Sequence, residues 1–210
     1  MSISMNHQQT RKREPFSSFA LYKLSTWSFL APLLYTYFRG RVYGAEKVPK
    51  TDPLVVVCNH GSYFDPPLIS ISMGRPLAFM AKEELFRVPV LKQVITLYGA
   101  YPVKRGASDR NALRSAITAS NNGWAIGIFL DGTRSADGYI HDPKLGAALI
   151  AAKTNALILP VSFWGSHKIF RKGSSIPRSV PLTLRIADPL PPPASTKRHD
   201  LEAVTQKAST

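Results

Sequence analysis

Apolar positions along this chain fall into short unbroken runs, separated by polar loops and by stretches with helical period. The run Leu54-Val55-Val56-Val57-Cys58 is short and mostly β-branched, the pattern of a strand buried on both faces. The polar loop Asn59-His60-Gly61-Ser62-Tyr63-Phe64 follows it. Asp65-Pro66-Pro67 then predicts a helix start over 65–73, with Asp65 as N-cap and proline at the first helical position. Further strands are predicted over 77–81, 100–103, 125–130, 157–163 and 182–187, with an edge strand over 42–46. Helices are predicted over 90–97, 108–122 and 143–154, and a loose terminal helix over 200–208. Pro189 to Pro193 reads as a stiff connector. Strand alternating with helix predicts an α/β fold: a mainly parallel central sheet flanked by helices.

The first residues depart from this alternation. Residues 1–14 are polar and basic and read as a disordered tail, not a signal peptide, because no small-residue cleavage site follows the apolar stretch. Residues 15–40 are rich in Phe, Leu and Tyr with Trp27, but Lys23 interrupts the run and Pro32 would kink it. Basic residues flank both ends, so the charge asymmetry of a spanning helix is missing. The segment reads as two short membrane-associating helices lying in the interface, with a true span and an ordinary docked core helix as the alternatives. Residues 41–190 then form one α/β domain, and 191–210 a C-terminal tail.

Charge changes the picture more than composition does. The chain has 27 basic and 13 acidic residues, a formal net charge of +14. Such a surface attracts polyanions. No nucleic-acid-binding module is recognisable, so an anionic membrane surface is the expected partner, at the cytoplasmic face. The single cysteine, Cys58, lies inside the strand run and excludes an internal disulfide framework. The five histidines have no zinc-type spacing with it, so no metal site is expected.

The chemistry concentrates after the first buried strand. His60 and Asp65 are held at its carboxyl end, where open α/β sheets bind ligands. A histidine with a carboxylate in reach can act as a general base with its tautomer fixed. Three further blocks follow in order: Tyr101-Pro102-Val103-Lys104-Arg105-Gly106, Phe129-Leu130-Asp131-Gly132-Thr133-Arg134-Ser135 and Ile158-Leu159-Pro160-Val161. Together with Lys82-Glu83-Glu84-Leu85-Phe86-Arg87-Val88-Pro89, they resemble the ordered motifs of the glycerolipid acyltransferases, the family that includes lysophosphatidic acid acyltransferase. The resemblance runs from Val42 to Ala187. The third block has Leu130 and Asp131 where the family usually has Pro and Glu, so the carboxylate reaches one methylene less far.

The resemblance implies transfer of a fatty acyl group from a thioester to the sn-2 hydroxyl of 1-acyl-sn-glycerol 3-phosphate, giving phosphatidic acid. The donor would be acyl-CoA or acyl carrier protein, and a thioester is already activated, so no cofactor is implied. His60 would be the base and Asp65 its orienter. The acceptor phosphate would be held by Arg134 and Arg105, with Lys104 and Lys82 in support. Gly132 would let the backbone approach substrate, Thr133 would donate from its hydroxyl, and Asp131 would bind a substrate hydroxyl or brace Arg134. The backbone N–H groups of Gly61 or Ser62 are candidate oxyanion donors. Two alternatives stand beside this reading: another lysolipid or glycerol 3-phosphate as acceptor, and a non-catalytic protein that binds anionic membranes. A serine hydrolase built on Ser62 is disfavoured because the Gly-x-Ser-x-Gly elbow is absent.

Overall fold

The computed structural model describes residues 16–97, 100–103, 109–171, 173–174 and 176–209. Its strands are β1 (Arg41–Tyr43), β2 (Leu54–Cys58), β3 (Leu77–Lys82), β4 (Tyr101–Val103), β5 (Ala125–Phe129), β6 (Leu157–Trp164) and β7 (Thr183–Ile186). Its helices are α1 (Phe16–Ser25), α2 (Asp65–Met73), α3 (Pro89–Leu97), α4 (Asp109–Asn121), α5 (Gly146–Thr154) and α6 (Arg198–Ser209). Among the described residues the strands form one seven-stranded sheet in the order β1-β7-β6-β2-β5-β3-β4. Every pairing is parallel except β6 with β7.

The sheet's two faces are filled by alternation along each strand. On β2, Leu54, Val56 and Cys58 join one core with Leu34, Phe38, Leu68 and Ile69, so the N-terminal segment and α2 cover that face. Val55 and Val57 join the other core, with Ala116 of α4, Ile150 of α5 and Leu201 of α6. This double burial is why β2 carries no polar residue. From β2 the chain crosses to β3 on the β5 side, while β5 is followed by β6 on the opposite side of β2. Crossovers leaving in opposite directions from neighbouring parallel strands are the topology at whose carboxyl ends α/β sheets bind ligands.

Several boundaries differ from those the sequence predicts. Helix α5 begins at Gly146, not at Pro143, because the Lys144 N–H is engaged by the Leu130 carbonyl at 2.8 Å and ties the chain to the end of β5. The expected loose terminal helix is docked, with Leu201, Thr205 and Ala208 buried. Leu190, inside the expected stiff connector, exchanges backbone hydrogen bonds with Ile158 on β6. The N-terminal segment is one continuous helical run from Phe16 to Tyr37 and not two helices; it widens to π-helical turns over Thr26–Leu30 and Leu33–Tyr37. The Ala31 N–H bonds to the Thr26 carbonyl, and the Phe38 N–H to the Leu33 carbonyl at 3.0 Å. This wider register around Pro32 accommodates a ring that would clash with an ordinary helical carbonyl. No helix among the described residues is long and apolar enough to cross a membrane. The run buries Tyr22, Leu30 and Leu34, with Phe38 buried just after it, and leaves Leu24, Trp27, Phe29, Tyr35 and Tyr37 exposed.

Candidate active site

The loop after β2 is pegged before it reaches His60. Asn59 is buried; its Oδ1 accepts the Phe163 N–H at 2.8 Å, and its Nδ2 donates to the carbonyls of Phe163 at 2.9 Å and Gly138 at 2.7 Å. One side chain thus ties the loop to β6 and to the segment after β5. The His60 carbonyl accepts the Ser135 N–H at 2.8 Å, which fixes the loop to the third sequence block. Gly61 backs directly onto the next wall: a Cβ there would lie 2.7 Å from the His167 nitrogen.

His60 and Asp65 meet. The Asp65 Oδ2 lies 2.9 Å from the His60 Nδ1, and the same oxygen accepts the N–H groups of Gly61 at 2.7 Å and Ser62 at 2.8 Å. An oxygen already accepting two amide hydrogens meets the ring as an acceptor too, so the ring proton sits on Nδ1 and Nε2 carries the lone pair. The Asp65 side chain is fully buried, whereas that of His60 is 16 % exposed, so the ring keeps an open edge. The Nε2 atom has no hydrogen-bond partner among the described residues. Two expectations change here. Asp65 is the first residue of α2 and Phe64 holds the N-cap position, because the carboxylate turns back to the loop amides and caps nothing ahead of it. The Gly61 and Ser62 N–H groups are taken by that carboxylate, so they do not serve as oxyanion donors.

An aromatic face completes the imidazole's surroundings. The Phe129 ring is stacked on it, with centroids 3.8 Å apart and planes 14° apart. Phe79 stacks in turn behind Phe129, at 5.4 Å and 23°. Phe79 fills the space over Gly127, where a Cβ would lie 2.3 Å from the ring.

The third block turns sharply after β5. Gly132 has a φ of +66°, a conformation that favours glycine, and its N–H bonds back to the Phe129 carbonyl at 3.0 Å. Thr133 and Arg134 are exposed beyond it. Arg134 Nη2 donates to the Tyr63 hydroxyl at 2.9 Å, and its guanidinium carbon lies 3.9 Å from the Tyr63 ring centroid. This contact brings Arg134 to the loop that carries His60. The Asp131 carboxylate accepts the N–H groups of His141 at 3.2 Å and Asp142 at 2.9 Å, so it closes the loop, a third role beside the two that the sequence leaves open. Lys82 ends β3, and Lys104 and Arg105 lie outside the described residues. Among the described residues no three His, Cys, Asp or Glu side chains converge as a metal site would require.

Burial sets the local titration. It pushes the Cys58 thiol well above its usual range, with the Asp65 charge adding to the effect. It pulls the His167 imidazole below its usual value, with Lys168 adding to that shift and the Asp137 and Asp65 charges opposing it. Tyr139 and His141 hydrogen bonds hold the exposed Asp137 below the carboxylate range, and Asp137 in turn raises His141. Sequence alone gives Phe129, Asn59 and Tyr63 no role, because each acts through a partner distant in the chain that only the fold brings near.

The family model described as Acyltransferase matches residues 39–164. The chain is 31 % identical over 144 residues to the chloroplastic 1-acyl-sn-glycerol-3-phosphate acyltransferase LPAT1 of Arabidopsis thaliana, covering 67 % of this chain and 40 % of that protein. It is 33 % identical over 134 residues to the 1-acyl-sn-glycerol-3-phosphate acyltransferase of Borreliella burgdorferi, covering 62 % of this chain and 53 % of that one. The chain thus spans about half the length of such curated relatives. Its fold is similar to the crystal structure of the 1-acyl-sn-glycerophosphate acyltransferase PlsC of Thermotoga maritima, with a TM-score of 0.72 and 30 % identity over 91 % of this chain and 75 % of that one.

Proposed function

The chain belongs to the acyltransferase family, and on that premise we propose that it transfers a fatty acyl group from a thioester to the sn-2 hydroxyl of 1-acyl-sn-glycerol 3-phosphate. The observation that carries the proposal is the 2.9 Å contact between His60 Nδ1 and the buried Asp65 carboxylate. It leaves Nε2 as an oriented base on a ring that keeps an open edge.

The acceptor hydroxyl gives its proton to Nε2 as its oxygen bonds to the thioester carbonyl carbon. The tetrahedral adduct then expels sulfur: the C–S bond breaks and the imidazolium returns the proton to the departing thiolate. General-base action of this kind contributes about 10²–10⁴-fold. Asp65 stabilises the imidazolium formed between the two transfers, and no acyl-enzyme is needed because the substrate alcohol is the nucleophile. Arg134 takes the acceptor phosphate, with Arg105, Lys104 and Lys82 adding positive charge, and Thr133 and the Gly132 backbone contacting the same group. The donor is acyl-CoA or acyl carrier protein. The exposed apolar side of the N-terminal run and the basic surface rest the enzyme on an anionic membrane at its cytoplasmic face.

The test is turnover by the purified chain on vesicles, with a panel of lysolipid acceptors and both donor types, and products read by mass spectrometry. Phosphatidic acid is the expected product, and His60→Ala abolishes it while vesicle binding persists. Turnover undiminished in His60→Ala would overturn the base assignment; acylation of every acceptor except the phosphorylated one would overturn the substrate.

A further inference from the structure

We propose that Phe129 is a positioning residue for the proton transfer: its ring face holds the His60 imidazole in plane and stabilises the positive charge that the imidazole acquires. The inference rests on His60 acting as the base. Two constraints act on the imidazole from perpendicular directions. Asp65 meets its Nδ1 edge at 2.9 Å, and Phe129 covers one face with centroids 3.8 Å apart. An edge contact alone leaves the ring free to rock about it; a stacked face removes that freedom and fixes where the Nε2 lone pair points.

The face is itself built rigidly. Phe129 ends β5 and pairs in register with Cys58, the last residue of β2, and the Leu130 N–H donates to the Cys58 carbonyl at 3.0 Å. The strand pair that delivers His60 therefore also delivers the ring beneath it. Phe79 stacks on Phe129 and fills the space over Gly127, where a Cβ would lie 2.3 Å from its ring. The relation between base and aromatic face is thus set by the parallel ladder together with the ties of the loop at Asn59 and at the His60 carbonyl.

The electrostatics have a definite sign. An aromatic face is negative and attracts a cation within about 6 Å of its centroid, whereas it gains only dispersion from a neutral ring. The attraction grows as the proton arrives on Nε2. It favours the charged transition state over the neutral ground state, which is the condition for accelerating the chemical step. Carboxylate edge and aromatic face stabilise the same charge.

The test replaces Phe129 in the full chain with its 4-fluoro, 3,5-difluoro and 3,4,5-trifluoro analogues and with leucine. Fluorine drains the ring face while nearly preserving its shape. The expected result is a stepwise fall in the single-turnover rate constant of acyl transfer, about five- to thirty-fold at trifluoro. The KM values for donor and acceptor stay constant across the series. Phe129→Leu falls at least as far as the trifluoro ring. A rate that does not change with fluorination would overturn the inference, because a purely steric support does not sense ring charge. His60→Ala separates the two ideas: if it is inactive while the fluorinated series is flat, only the role of Phe129 fails. If it keeps full turnover, the base assignment fails as well.

Discussion

Arg134 reaches back across the site to Tyr63: Nη2 donates to the phenol oxygen at 2.9 Å while the guanidinium carbon sits 3.9 Å from the ring centroid. The two residues come from different blocks of sequence, and both are exposed. A guanidinium steadied on one side by an aromatic ring keeps its other donors free for an anion. Arg134→Ala should therefore raise the KM for a phosphorylated acceptor roughly ten- to hundred-fold, the range of a charge-assisted hydrogen bond, with a smaller effect on kcat. Tyr63→Phe keeps the ring and removes the hydroxyl, so its KM should fall between wild type and Arg134→Ala. Steady-state kinetics with phosphorylated and phosphate-free acceptors checks this: equal losses on both would remove Arg134 from the phosphate site.

Asp65 offers a cleaner separation of charge from shape. Its Oδ2 accepts three contacts, while Oδ1 is buried with no hydrogen bond among the described residues. In Asp65→Asn the amide oxygen can take the Oδ2 position and keep the loop folded, but the charge opposite the imidazolium is gone. We expect kcat to fall about 10²–10⁴-fold with KM nearly constant. Placing an NH₂ where no acceptor waits should cost about 1–3 kcal/mol of stability. Asp65→Ala frees both loop amides as well and should melt lower than Asp65→Asn. Turnover and thermal denaturation of the pair read both effects, and a full-rate Asp65→Asn enzyme would show that the carboxylate is only a loop brace.

The parts of this site that were legible in the sequence are those that depend on neighbours along the chain. The unbroken run of β2 announces a strand buried on both faces, and the five-residue spacing of His60 and Asp65 lets one tight loop join them. Phe129 was hidden because its contact with His60 depends on the Cys58↔Phe129 register, which pairs residues far apart in sequence. The start of α5 was misplaced because a tie from Lys144 to Leu130 outweighs the helix-starting preference of Pro143. The docking of α6 follows a spacing of Leu201, Thr205 and Ala208 that is visible in retrospect, but two of those residues are too small or too polar to announce a buried face.

His167 gives the site a pH dependence of stability. Burial first, and the neighbouring Lys168 second, pull its imidazole below the ordinary value of 6.5. The unfolded chain then binds a proton that the folded chain resists, so the contribution of this imidazole to stability is full above 6.5 and is lost as pH falls toward the depressed folded value. The segment at risk is the one behind Gly61, where His167 packs. Thermal midpoints measured from pH 8 down to pH 5 should therefore fall more steeply for the wild-type chain than for His167→Gln, which cannot titrate. Parallel curves for the two proteins would mean that the imidazole pays no protonation penalty in the folded state.

Gly61 is a close contact between the loop after β2 and that wall. A Cβ there would lie 2.7 Å from the His167 nitrogen and 2.8 Å from the Ser166 Oγ. The first neighbour is backbone and cannot swing away. The loop on the other side is anchored by the Gly61 N–H to Asp65 at 2.7 Å, so it cannot retreat without breaking the contact that orients His60. Gly61→Ala should therefore cost about 1–3 kcal/mol, the usual penalty for overpacking. Its activity should fall further than the stability loss explains, because a displaced N–H releases the carboxylate from the imidazole. The comparison that decides is turnover at a temperature where both proteins are fully folded. Wild-type kcat in Gly61→Ala under those conditions would show that the loop yields without moving the base.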